Sequence, residues 1–100
     1  MSKQELEVAE TILDQLKQSK VNGFPFFAYT GIKKFVLLED GLLLRLPKNP
    51  KHYEKVEIFY DYGQDLYDVS FYKLSVPIES VKGVFFDQLA HLIVEKMGVL

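Results

Sequence analysis

Cysteine is absent from this chain of 100 residues. Disulfides, thiolate nucleophiles and cysteine-held zinc are therefore excluded, and the composition fits a reducing cytosol. Also missing is any run of about 18 apolar residues, the length a membrane-crossing helix needs. The charged opening, MSKQELEVAE, has no apolar stretch of the kind that marks a signal peptide. The expectation is a cytoplasmic protein with no membrane contact.

Chemistry-bearing residues are scarce as well. His52 and His91 are the only histidines, and there is no G-x-S-x-G, no G-x-G-x-x-G and no Walker loop. A catalytic constellation normally leaves several such marks, so the reading is non-enzymatic, with no cofactor. Nor does charge of one sign dominate. The formal net charge is −2, with seven Lys/Arg against six Asp/Glu in residues 1–50 and five against eight in residues 51–100. No basic stripe argues for nucleic acid.

What is present is a globular composition, 48% hydrophobic with 14 aromatic residues, concentrated between Phe24 and Tyr72. The length suits one domain over residues 1–100. Ser2 and Glu5 form a capping box. Leu6, Ala9, Ile12, Leu13 and Leu16 then recur at helical spacing, and Asn22-Gly23 supplies a stop. Phe24 to Tyr29 reads as a first strand and Lys34 to Glu39 as a second. Asp40-Gly41 is a hairpin turn, and Leu42 to Leu46 is a third strand, placing Phe35 opposite Leu46 and Leu37 opposite Leu44. PKNPKH, residues 47–52, is a loop.

Glu54 to Asp61 and LYDVSFYKL, residues 66–74, alternate as two further strands. A four-residue loop between them pairs Tyr60 with Tyr67, Ile58 with Val69 and Val56 with Phe71. Val76-Pro77-Ile78 reads as an extended connector. Ser80 is then the cap of a second helix reaching Met97, with Phe85, Phe86, Leu89, Leu92, Ile93 and Met97 as its stripe. The predicted fold class is α+β: an N-terminal helix, an antiparallel meander of about five strands and a C-terminal helix, with both helices on one face.

The other sheet face then carries Leu38, Leu43, Phe59 and Tyr72, with Val36 and candidates Phe27 and Tyr29, among Arg45, Lys55, Glu57, Asp68 and Ser70. Scattered surface apolar residues are ordinary. A contiguous patch would associate, with a second copy as a homodimer or with another protein. Leu38, Leu43, Phe59 and Tyr72 would make the contact, with Lys55 and Asp68 setting specificity at its edge. Lys55 falls opposite Tyr72, an arrangement that allows a cation–π contact.

Three further groups carry weaker signals. Lys33, Lys34, Lys48 and Lys51, with Tyr53 to stack on a base, form an alternative nucleic-acid surface. Asp61, Asp65 and Asp68 with Glu57 read as a solvated turn, or as an acidic patch for a basic partner. Asp87, His91 and Glu95 stand at i, i+4 and i+8, which on one helix face could hold a metal but equally makes a solvated back. The reading assigns no metal.

Taken together, GIKKFVLLEDGLLLRLP, LYDVSFYKL and VKGVFFDQLAHLIVEKMGV resemble a family of small proteins of unassigned function encoded by phages and mobile elements. The likeness also takes in Ile12-Leu13-Asp14-Gln15-Leu16 and runs from about Thr11 to Gly98. It implies an accessory protein acting inside a bacterial cell, and it carries no catalytic residue. Lys33-Lys34 and the PKNPKH loop depart from the usual pattern.

Overall fold

The computed structural model describes residues 3–100, with side chains from Leu6 onward; the Ser2–Glu5 capping box lies outside those described side chains. Helix α1 runs Lys3–Gln18 and buries Ala9, Ile12, Leu13 and Leu16, the stripe its sequence spacing dictates. It stops earlier than Asn22-Gly23. The Ser19 hydroxyl donates to the Gln15 carbonyl, and the chain enters a small hairpin of β1 (Lys20–Val21) and β2 (Phe24–Pro25). Asn22 (φ 51°) and Gly23 (φ 84°) form its turn, so the left-handed glycine serves a hairpin and not a helix cap.

Of the strand expected over residues 24–29 only Phe24–Pro25 is extended, and the rest is helical. α2 (Phe26–Thr30) is a short helix, closed by Gly31 at φ 75°, whose amide donates to the Phe27 carbonyl. Phe26 and Thr30, one turn apart, are its buried pair, and the Thr30 hydroxyl donates back to the Phe26 carbonyl. Burying Phe26 against the core overrides the strand preference of its aromatic neighbours.

The sheet is an open meander in the order β3-β4-β5-β6-β7, all antiparallel: β3 (Lys34–Leu38), β4 (Gly41–Arg45), β5 (Lys55–Asp61), β6 (Leu66–Lys73) and β7 (Val76–Val84). The β5–β6 ladder pairs Tyr60 with Tyr67, Ile58 with Val69 and Val56 with Phe71, as its alternation predicts. The β3–β4 ladder differs from expectation by two residues. Phe35 faces Leu44 and Leu37 faces Leu42, because the two-residue loop is Glu39-Asp40, with Asp40 at φ 57°. A slip of two residues keeps each side chain on its face.

Residues 76–84 complete the sheet instead of forming a connector and the first half of a helix. β7 pairs with β6, and its ladder shifts register between Tyr67 and Val69 and again between Phe71 and Tyr72. Each shift inserts an extra residue on β7. Together they turn Glu79, Val81 and Val84 toward the helices, opposite Phe71, Val69 and Tyr67. Gly83, at φ 72°, could not continue a helix. After a 3-10 turn at Phe86–Gln88 the helix proper, α3, covers only Leu89–Met97 and ends at Gly98 in the left-handed region. Phe85 and Phe86, expected in its stripe, are more than half exposed.

Both long helices sit on one face, making an α+β domain. Ile12, Leu13 and Leu16 of α1 and Leu89, Ile93, Val94 and Met97 of α3 share one core with Leu42, Leu44, Val56, Ile58, Val69 and Phe71 of the sheet.

Candidate functional site

The helix-free face is built from the other parity of the same strands, and its registers set three rows across the sheet. The first row runs Leu38, Gly41, Phe59, Asp68. The second runs Val36, Leu43, Glu57, Ser70, Ser80. The third runs Lys34, Arg45, Lys55, Tyr72, Pro77. Chemistry is segregated along these rows. Val36, Leu38, Leu43 and Phe59 gather at the β3–β4–β5 corner. The β6–β7 side is polar, with the Ser70 and Ser80 hydroxyls 3.0 Å apart.

Phe59 owes its position to Gly41. A Cβ built on Gly41 would lie 2.5 Å from Cδ1 of Phe59, so the ring occupies the space a side chain would take. This packing leaves Phe59 38% exposed. Tyr72 is held apart from the corner, two rows away. The Lys55 ammonium lies 4.7 Å from its ring centroid, the contact expected from the register. A hydrogen bond to Glu57, then burial, pushes the Tyr72 hydroxyl pKa above its ordinary value. Asp68 is turned to local work: its carboxylate accepts the Gly83 amide at 3.3 Å across the β6–β7 bulge. The structure thus brings Leu38, Leu43 and Phe59 together with Val36, and sets the Lys55–Tyr72 pair and Asp68 at separate places on the same face. Phe27 and Tyr29 lie on α2, away from it.

The third row holds an arrangement the sequence did not announce. Lys34, Arg45 and Lys55 stand directly opposite one another on three adjacent strands. Like charges so placed are unfavourable unless something anionic neutralises them. Lys33, Lys34 and Arg45 also line a shallow depression with Gly31, Leu46 and Pro47.

Of the other expected nucleic-acid residues, Lys48 and Lys51 are in the 47–52 loop, but Tyr53 is buried. Its ring packs against Phe71 at 5.2 Å between centroids, and its hydroxyl donates to Glu79 Oε1 at 2.7 Å, so it cannot stack on a base. Asn49 fixes the loop that delivers it. The buried Asn49 amide donates to the Pro47 and Tyr53 carbonyls and accepts the Tyr53 amide. The other Glu79 oxygen takes the Lys96 ammonium of α3, and these two hydrogen bonds hold the Glu79 carboxyl pKa below its ordinary value.

The acidic residues of the 61–68 hairpin serve its turn. Asp61 accepts the Gly63 amide at 2.9 Å, and Asp65 accepts the Tyr60 hydroxyl. Asp87 lies in the 3-10 turn that leads into α3 and lines one surface depression with His91 and Glu95, and His91 Nε2 is 3.6 Å from Glu95 Oε2 with both side chains exposed. Among the described residues no group of three His, Asp or Glu side chains is placed to share a metal ion. Among the described residues no helix is long and apolar enough to cross a membrane.

Comparisons with family models, with curated proteins and with solved structures find no match.

Proposed function

We propose that this chain is a non-enzymatic protein-binding module whose contact surface is the helix-free face of the sheet. The observation that carries the reading is the corner of Val36, Leu38, Leu43 and Phe59, four large apolar side chains gathered on a face that no helix covers. Burying such a patch is favourable at roughly 25 cal/mol per Å². The Lys34–Arg45–Lys55 row beside it supplies orientation through charge. The preferred assembly is a homodimer, and by the resemblance noted in the sequence the module would act in the cytoplasm of a bacterium, in the service of a mobile element. Leu43→Lys tests the reading, because the new ammonium can pair with Glu57 opposite it and leave the fold intact. Light scattering should show weaker association for this variant with an unchanged melting temperature. An unchanged assembly, or an unassociated parent chain, removes a homodimer that buries this face.

A second reading rests on the cation row: an accessory protein that binds nucleic acid through phosphates, with Lys33 and Lys48 near its Arg45 end, while Lys51 lies apart against Gly98 at the end of α3. Affinity for DNA would then fall steeply with added salt as counterions are released. Absence of binding to single-stranded and duplex DNA at low salt ends this reading.

A further inference from the structure

The two outer strands of the sheet are built differently. β7 carries the features that discourage pairing: a proline at position 77, two register shifts and a left-handed glycine at position 83. β3 has none of these. It is five residues long, lacks proline and bulges, and pairs with β4 without interruption. Among the described residues its other edge has no strand partner, and Phe35 and Val36, on opposite faces, are 42% and 49% exposed.

The hydrogen-bonding groups on that edge follow from the turn. Leu38 and Gly41 flank the two-residue loop and so form a bonded pair; pairs alternate from there. Lys34, Val36 and Leu38 therefore spend their amides and carbonyls on β4, while those of Phe35 and Leu37 point away from the sheet. The next ladder agrees: the Tyr60 amide donates to the Asp40 carbonyl at 3.0 Å, on the far side of β4.

The flanks of the strand are charged with opposite signs: Lys33-Lys34 before it and Glu39-Asp40 after it. Such a pattern repels a parallel copy in register and attracts an antiparallel one. An antiparallel pair centred on Val36 sets Val36 against Val36 on the helix-free face. On the helix face it sets Phe35 against Leu37, and beyond them Lys33 against Glu39, each contact made twice by the two-fold axis. Centring on Leu37 would instead set Phe35 against Glu39, and Lys34 against Asp40, whose carboxylate already accepts the Tyr62 hydroxyl at 2.7 Å. Lys33 and Glu39 are exposed and have no ion-pair partner among the described residues.

We infer that the β3 edge is a homodimerisation site: a second copy adds its own β3 antiparallel, centred on Val36, and joins the two five-stranded sheets into one. This deepens the proposed protein-binding role, on which it rests for its partner, because the apolar corners of the two copies become continuous across the axis.

Charge reversal tests the pairing. The parent chain should sediment as a dimer at micromolar concentration. Lys33→Glu and Glu39→Lys should each weaken the dimer by about tenfold or more, since each sets two like-charged pairs opposite one another. The double variant K33E/E39K should return to within about threefold of the parent, since it restores both pairs with their signs exchanged. Phe35→Pro deletes an edge amide that β4 does not use, and should give a folded monomer. A monomeric parent chain overturns the inference, as do reversals without effect or a double variant that fails to recover. A dimer lost in Leu43→Lys but indifferent to both charge reversals assigns association to the face and refutes the edge, leaving the proposed function standing.

Discussion

Phe59 stands directly across from Gly41, and its ring fills the place of the missing side chain, with Cδ1 2.5 Å from where a Cβ would be. A side chain at 41 would force the ring away and would also meet the Ile58 carbonyl oxygen, 2.6 Å from the same Cβ position, so only part of its cost is shared with Phe59. Gly41→Ala is expected to cost about 1–3 kcal/mol, the usual penalty of overpacking. In Phe59→Leu the same glycine substitution should cost measurably less. Urea denaturation of the four proteins in a double-mutant cycle measures the coupling, and additive effects would contradict it.

Acid stability should depend on Glu79. Its carboxyl pKa is held down by Lys96 first and Tyr53 second. A group with a lowered folded-state pKa contributes stability above its unfolded value, and that contribution is lost as pH falls through the folded value. Melting temperatures of the parent chain should therefore drop on acidification through the carboxylate range, and Glu79→Gln should flatten that part of the profile. Tyr53→Phe removes one of the two hydrogen bonds and should cost about 1 kcal/mol at neutral pH.

At the alkaline end, the Tyr60 hydroxyl pKa is pushed up to about 12, chiefly by its hydrogen bond to Asp65. It should be among the last of the tyrosines to ionise in an absorbance titration. The pKa is raised in the folded state, so this contribution to stability is present below the unfolded value of 10.0 and lost as pH rises through the folded one. Asp65→Asn should move the late phase of the titration toward the ordinary tyrosine range, and an unmoved late phase would assign it elsewhere.

The β6–β7 turn contains an uncommon pair. Leu74 and Ser75 both occupy the left-handed region, at φ 50° and 66°, with Leu74 82% exposed. Asn-Gly is the sequence such a two-residue turn favours. Leu74→Asn with Ser75→Gly should raise stability by about 0.5–1 kcal/mol, read as a higher denaturation midpoint with unchanged slope.

Most of the sheet could be read from the amino acids alone, and the exceptions have definite causes. The β5–β6 ladder was legible residue by residue because both strands keep strict alternation and one loop length satisfies every inward pair. That register also placed Lys55 over Tyr72. β7 was not legible because its two extra residues break the period of two, leaving Val81 and Val84 at a spacing that resembles a helix. α2 was missed because a five-residue helix is too short to display a period, and FPFFAY has the composition of a strand. On the helix-free face, parity gave Leu38, Leu43 and Phe59 correctly. The cation row required knowing that β3, β4 and β5 are neighbours in a particular register. The burial of Tyr53 depends on Glu79 and Asn49, which are 26 and 4 residues away and share no motif with it.

The extra residue at Ile78 has an arithmetical consequence. Were the ladder to run on from Tyr72–Pro77 without an irregularity, Ile78 would fall opposite Phe71 and Glu79 opposite Ser70, and the carboxylate that joins α3 to Tyr53 would lie on the helix-free face. The bulge therefore decides which side of the layer everything from 79 as far as the next irregularity looks toward, and a ladder that absorbed Ile78 as an ordinary pair would cut the polar tie between helix and loop without altering either partner.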